Sequence, residues 1–508
     1  MSRAGSILDG WRFAALVATI VAATSAPAIS WWLRTPPGQV GLGGDFVSLG
    51  DFLTYVSWLK QAEQGHLLFL NLYDPVPQER TLFLPFFLVL GTLARVTGAP
   101  AMLALHLARA AASVLLFLTA RGFVRAMLPE DGARVRAFLM LALGTGLPAL
   151  VPEASPVSAM FDSALHAFSW CLFLVAARAW LAGPARTRGG QAPALRGGGV
   201  DRHATGGEQG GGRAPALQSA SAAGAAIAGI CASALLFVHP YDAVTLTTIV
   251  AATSIDAMAR RTRGSFGRFA TFGLCAAPAA AHVAWTVARS PALRTWAMFP
   301  RRTSGWELLS FGTIAVLALL AALAPRRDLD RALLIWIAAE LALVLLPLPS
   351  QRRYILGLQA PLAILAARGF DALIARGLRR TAKYLLACAF PVSVLMLLID
   401  ATNLTRSARF VDAGLVAEIR ELEKLPPGVI FARPYLGQLI APFAGRQVFA
   451  GHPGQTPDIA GKTRVWEDFA AGKVSDAELA SLGMRWIVVE EPPEGPGPRL
   501  QIRDAERR

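Results

Sequence analysis

The sequence predicts an α-helical polytopic membrane protein of about eleven spans, followed by a small α/β domain. Three observations carry this. Of 508 residues, 54% are hydrophobic and only 16% charged, with a mean hydropathy of +0.45; a soluble chain of this length would carry more charge. The apolar residues come in blocks near the ~20 residues that a helix needs to cross a bilayer. The arginines gather in short loops between those blocks, as cytoplasmic connections do.

The first block, Trp11 to Leu33, holds Ala26-Pro27-Ala28, which mimics a cleavage site, but it ends on Trp31 and Trp32, an interfacial anchor. It reads as an uncleaved first helix. Loops at Arg121–Arg136, Gly183–Leu217, Arg260–Arg268, Arg326–Arg331 and Arg368–Lys383 are basic and are placed inside. Spans then fall near 12–33, 102–122, 135–151, 163–182, 218–238, 243–259, 268–288, 308–325, 332–347, 354–367 and 384–400. The N-terminus is inside and the C-terminal domain outside. Leu82 to Val96 does not fit, because a crossing there would put the 121–136 loop outside. It is expected to lie in the interface or to re-enter.

The membrane domain is therefore read as residues 1–400. Its first outer loop, 34–98, holds an interfacial helix expected to lie flat on the membrane with its apolar face, Phe52, Tyr55, Val56 and Leu59, turned down to the lipid. Residues 183–217, rich in Gly, Arg, Ala and Pro, read as a disordered cytoplasmic loop. Residues 401–508 read as a soluble α/β domain, with buried strands at Val429–Ala432 and Trp486–Val489 and helices at Arg464–Ala471 and Asp476–Leu482.

The net charge of +15 is accounted for by the orienting loops, so no nucleic-acid partner is inferred. Cys171, Cys231, Cys275 and Cys388 all fall in apolar stretches and read as small buried hydrophobes, not as disulfides or a zinc cluster.

Under this topology the ionisable residues collect at the outer face, where placing charge is costly and points to function. Asp45 and Asp51 lie in the first outer loop, with Glu153, Asp162 and His166 at the second. His239-Pro240-Tyr241-Asp242 forms the third, Arg294, Arg301 and Arg302 lie in the fourth, and Gln351-Arg352-Arg353-Tyr354 forms the fifth. Each has a bland reading as well. Asp51 would cap the interfacial helix, Asp45 would sit in a glycine turn, and Glu153 would open a loop. His166 would be a core histidine, His239 would end a helix before proline, and Arg352 and Arg353 would snorkel. As a set they suit sugar transfer from a polyprenyl-phosphate carrier. Arginine grips the phosphate bidentately, and a carboxylate takes the proton of the attacking hydroxyl.

At these residues the sequence resembles the GT-C glycosyltransferases, especially bacterial mannosyltransferase-like and lipid-A-sugar-transferase-like members. The likeness runs through Gly50-Asp51-Phe52-Leu53-Thr54-Tyr55, Gln61-Ala62-Glu63-Gln64-Gly65 and Asn71-Leu72-Tyr73. It continues in Val151-Pro152-Glu153, Leu165-His166, Val238-His239-Pro240-Tyr241 and Gln351-Arg352-Arg353-Tyr354 with Gly357 and Pro361. The resemblance implies Asp51 as catalytic base ahead of a membrane-parallel helix, with Glu153 or Asp162 as a second acid. It also implies an extra interfacial helix at 82–96. Asp51 is followed by Phe52, where many members have a second acid, so Asp45 stands as a rival base. No cofactor is fixed by the resemblance, and a divalent metal, Mg or Mn, is left open.

The expected activity is an inverting transfer at the periplasmic face of a bacterial inner membrane. Asp51, Asp45 and Glu153 are placed on the chemistry, and Arg352, Arg353 and Arg301 on the donor phosphate. His239, Tyr241, His166 and Asp162 are placed on substrate. The partners are a polyprenyl-linked sugar, membrane lipid, and a glycan, lipid or protein acceptor. Gly451-His452 and Thr456 form a loop that covers the site or selects the acceptor. The rival readings are a lipid or sugar transporter, or flippase, and a non-catalytic envelope assembly partner. Convergence of Asp51, Glu153 and Arg352 on one cavity separates the last from an enzyme.

Overall fold

The computed structural model describes residues 6–42, 49–144, 156, 159–160, 163–182, 222–290, 293–294, 311–324, 327–391, 395, 410–491 and 499–506. Helices α1 (Gly10–Leu33), α4 (Ala101–Met127), α6 (Ala164–Ala182) and α9 (Ser265–Arg289) are long and apolar enough to cross a membrane. With them pack α5 (Asp131–Ala142), α7 (Ala222–Val238), α8 (Pro240–Ala259), α10 (Gly312–Leu320), α11 (Asp328–Leu345), α12 (Gln359–Ala375) and α13 (Arg379–Ala387). Their shared core is built on side chains such as Phe117, Phe138, Trp170, Phe173 and Trp336.

Small residues set the closest approaches, as they do where apolar helices pack without help from water. At Gly229 of α7 a Cβ would lie 2.6 Å from the Phe272 carbonyl of α9, and beside it Ser233 Oγ donates to the Cys275 carbonyl at 2.7 Å. Two buried arginines of the bundle are met by partners. Arg109 donates to the Met160 carbonyl at 2.7 Å and to Ser25 Oγ at 3.1 Å, and Arg368 pairs with Asp330.

Several element limits differ from the sequence expectation. The basic loop at 121–136 shrinks to residues 128–130, because Arg121 and Arg125 stay helical and turn their charge onto Asp9. The expected span 354–367 is displaced: residues 351–355 form a 3-10 turn, Gly357 takes φ +110°, and α12 then runs from Gln359 to Ala375. Arg368 therefore sits buried inside a helix and not in a loop, its charge met by Asp330 on α11. The expected disordered loop at 183–217 lies outside the described residues.

The connection from α1 to α4 holds strand β1 (Gln39–Gly41) and helices α2 (Leu49–Glu63) and α3 (Pro85–Thr97). The 13 residues of α3 extend about 20 Å, short of the ~30 Å hydrocarbon thickness. Helix α2 does not present its apolar face to lipid. Phe52, Val56 and Leu59 pack with Phe87 of α3 and Leu105 of α4, while Leu53 on the other side packs into the C-terminal region. Gly91 of α3 permits the contact, since a Cβ there would lie 2.7 Å from the Leu59 carbonyl.

After Phe410 come β2 (Phe410–Asp412), α14 (Ala413–Glu421), β3 (Val429–Ala432), α15 (Pro434–Ala444), α16 (Ile459–Ala470), α17 (Asp476–Ser481), β4 (Met484–Glu491) and β5 (Arg499–Asp504). The sheet order is β3-β4-β5, with β3 parallel and β5 antiparallel to β4. Strand β2 pairs antiparallel with β1, Val40 facing Val411, so a strand of the first interhelical connection is tied to the C-terminal region. Asp412 caps α14 by accepting from Leu415 N–H at 2.9 Å.

Candidate active site

Asp51 stands in the first turn of α2, where a carboxylate suits the helix dipole. Its Oδ1 lies 3.2 Å from Nε2 of His452, which belongs to the C-terminal region. The tautomer follows from the loop. The backbone N–H of Gly454 donates to His452 Nδ1 at 3.0 Å, so the neutral ring keeps its proton on Nε2 and donates it to Asp51.

Two glycines make this approach possible. A Cβ on Gly50 would lie 2.7 Å from His452 Cδ2 and 2.8 Å from Gln438 Nε2; one on Gly451 would lie 2.5 Å from the Tyr73 ring. The loop is fixed from both sides. Thr456 Oγ1 accepts from Gly451 N–H at 3.1 Å, and Asn71 Nδ2 donates to the Gln455 carbonyl at 2.8 Å. Tyr73 beside it is fully buried, and burial first, then the nearby Asp51 charge, pushes its phenol pKa up, so it stays protonated.

Asp51 opens on a cavity of about 370 Å³ between α2, α3 and the bundle, within the range of small-molecule sites. His166, His239, Tyr241, His282 and Arg353 line it too, against apolar walls such as Phe83 and Phe237. His239 is there because α7 ends on it: it is the N-cap of α8 with Pro240 at the first helical position. Its Nδ1 lies 2.7 Å from Oδ1 of Asp242, a side chain with no exposure. That contact orients the ring and leaves Nε2 for the cavity. The His166 ring meets His239 edge-on at 5.3 Å, and its Nδ1 is 3.0 Å from Ser163 Oγ.

Arg353 follows Ser350, which takes φ +56°, in the 3-10 turn, and its guanidinium is 4.8 Å from the centre of the Tyr241 ring. Tyr241 is held by the Tyr354 ring at 5.8 Å and by Ser350 Oγ at 3.4 Å. This stack aims a nearly buried cation at the cavity.

Of the residues expected from sequence, the structure thus brings Asp51, His166, His239, Tyr241 and Arg353 to one cavity. Arg352 does not line it. Asp45, Glu153, Asp162 and Arg301 lie outside the described residues. Among the described residues no three His, Cys, Asp or Glu side chains cluster as a metal site. Asp51 with His452 alone does not make a ligand set, so no metal is placed there. Two roles were not expected. Asp242 was visible in the His239-Pro240-Tyr241-Asp242 run but not as the histidine's partner, and His282 gave no signal inside an apolar helix.

No protein-family profile matches the sequence, and no curated protein matches it. Solved structures do. The oligosaccharyltransferase of Archaeoglobus fulgidus, in a complex with zinc and sulfate, superposes with a TM-score of 0.56 at 14% identity, over 93% of this chain and 68% of that one. The mycobacterial arabinofuranosyltransferase AftD gives 0.55 at 16% identity over 94% of this chain, which spans about a third (35%) of that protein's length. ArnT from Cupriavidus metallidurans, bound to undecaprenyl phosphate, gives 0.51 at 14% identity over 94% of this chain and 93% of that one. The chain shares the fold of these three proteins.

Proposed function

We propose that this chain, carrying the GT-C fold, is an inverting glycosyltransferase of the bacterial inner membrane. It moves a sugar from a polyprenyl-phosphate donor to a glycan, lipid or protein acceptor at the periplasmic face. The arrangement has about eleven spans, with the N-terminus inside and the soluble region outside. The observation that carries the reading is convergence. Asp51, three histidines, Tyr241 and Arg353, carried on several elements, meet in one cavity beside apolar helices.

The chemistry assigns itself by residue type. Asp51 accepts the proton of the acceptor hydroxyl while that oxygen attacks the anomeric carbon. The bond from that carbon to the phosphate oxygen breaks on the opposite face, so the configuration inverts. Polyprenyl phosphate leaves with the electron pair, and Arg353 stabilises its charge in a low-dielectric setting. His239, its Nδ1–H turned to the Asp242 carboxylate, accepts at Nε2 from a hydroxyl of the sugar. The apolar walls receive the prenyl chain. His452 keeps the Asp51 carboxylate turned toward the cavity.

The test is Asp51→Asn, which keeps size and removes charge. Transfer from a polyprenyl-phosphate sugar, assayed on purified protein in nanodiscs, is expected to fall by about 10²- to 10⁴-fold. Wild-type turnover in a well-expressed Asp51→Asn protein would sink the assignment. Donor-independent flux across proteoliposomes would favour a transporter.

A further inference from the structure

The C-terminal region carries a second cavity that shares no lining residue with the first. Sheet topology creates it. After β3 the chain enters α15, which covers one sheet face through Leu436, Leu439 and Ile440. It returns at Val448, bridged parallel to Ile430, and then α16 covers the opposite face through Val465, Trp466 and Phe469 before β4 joins β3. Successive connections therefore leave on opposite faces, and a crevice opens outside the carboxyl ends of β3 and β4. In open α/β sheets such a switch point is where ligands bind.

The crevice measures about 560 Å³, and its polar and aromatic lining is Arg433, Tyr435, Thr463, Trp466, Glu467 and Glu490. Those residue types select a ligand. Two carboxylates against one guanidinium make the crevice net acidic, which disfavours the phosphates that many switch-point crevices hold. Three charged groups disfavour a purely apolar guest. What remains suited is a neutral ring with C–H faces and a hydroxylated edge. Tyr435 and Trp466 meet the faces, the carboxylates accept from hydroxyls, and Arg433 donates. Trp466 is pre-positioned, its ring packed 5.4 Å from Phe431 and 5.7 Å from Phe469. Burial, then the Glu490 charge, raises the Tyr435 pKa, so its phenol keeps a proton to donate.

We infer that this crevice binds a neutral saccharide, separately from the membrane-edge cavity. The assignment is independent of the transferase reading. Saturation-transfer NMR on the full-length protein in nanodiscs tests it, with methyl α-mannopyranoside, methyl β-galactopyranoside and methyl α-arabinofuranoside as probes. At least one glycoside is expected to give a signal that drops severalfold in Glu490→Gln and in Trp466→Ala, yet persists in Asp51→Asn. Glu490→Gln, at a strand end, guards against a folding defect in the tryptophan variant. Three results would overturn the inference: no signal from any glycoside, a signal lost only in Asp51→Asn, or Glu490-dependent binding of arginine ethyl ester in place of the glycosides.

Discussion

His452 donates to Asp51 through a geometry that Gln can imitate and Ala cannot. His452→Ala is expected to lower kcat about ten- to a hundred-fold, the cost of losing a hydrogen bond to a charged group, with little change in the donor KM. His452→Gln is expected to recover much of it. Equal losses in both variants would mean that the ring only fills space. Asp242→Asn tests the companion contact. It leaves the His239 ring free to adopt the other tautomer, so turnover should fall while the fold, read by melting temperature in detergent, changes little. Individual cavity-lining residues were partly legible from the sequence, because Asp51, His239 and Arg353 stand at the ends of apolar blocks, where charge is costly and needs a reason. Their partners were not. The Asp51–His452 contact joins residues near opposite ends of the chain, and Asp242 sits within a helical run whose periodicity looks structural.

Helix α2 is the element on which bundle and C-terminal region both rest. Lys60 pairs with Glu423 at 2.9 Å, and Gln64 donates to the same carboxylate at 3.0 Å. Burial alone would raise the Glu423 pKa, but the hydrogen bonds from Lys60 and Gln64 and the Lys60 charge outweigh it and hold it below 4.5. A depressed folded-state pKa contributes stability above the unfolded value and loses it as pH falls through the folded one. Glu423→Gln should therefore destabilise the fold slightly at neutral pH, by under about 1 kcal/mol for so exposed a pair, read as a small drop in melting temperature that vanishes in acid below that pKa. Gly91→Val should act more strongly, since it pushes α3 off the Leu59 carbonyl and opens the wall of the cavity. Loss of thermal stability together with raised donor KM is the expected pattern. The sequence announced α2 by the spacing of Phe52, Tyr55, Val56 and Leu59, but it read the apolar face as lipid-facing. Periodicity states that a face is buried, not what buries it. For the same reason α14 and α15 went unnoticed: α14 is a nine-residue helix, and α15 begins on Pro434 and contains Pro442, which reads as a break.

At the scale of the whole molecule, a mostly helical fold with apolar spans was legible because apolar block length is a global signal that survives errors at single boundaries. Boundaries failed where charge was neutralised by a distant partner, as with Arg368 and Asp330, or Arg125 and Asp9. The β1–β2 ladder was invisible, because two three-residue strands far apart in sequence leave no pattern. It also predicts how the molecule behaves in turnover. A Val40→Cys, Val411→Cys pair should cross-link under mild oxidation without loss of transfer, since the region that supplies His452 stays docked. Activity that disappears on oxidation and returns with reductant would show that undocking is required. The split between Asp51, set early in the chain, and His452, set late, has a further consequence for biosynthesis. Asp51 emerges from the ribosome long before His452, so under the proposed reaction the carboxylate gains its hydrogen-bond partner only after the region from Phe410 onward has been made and has closed on α2.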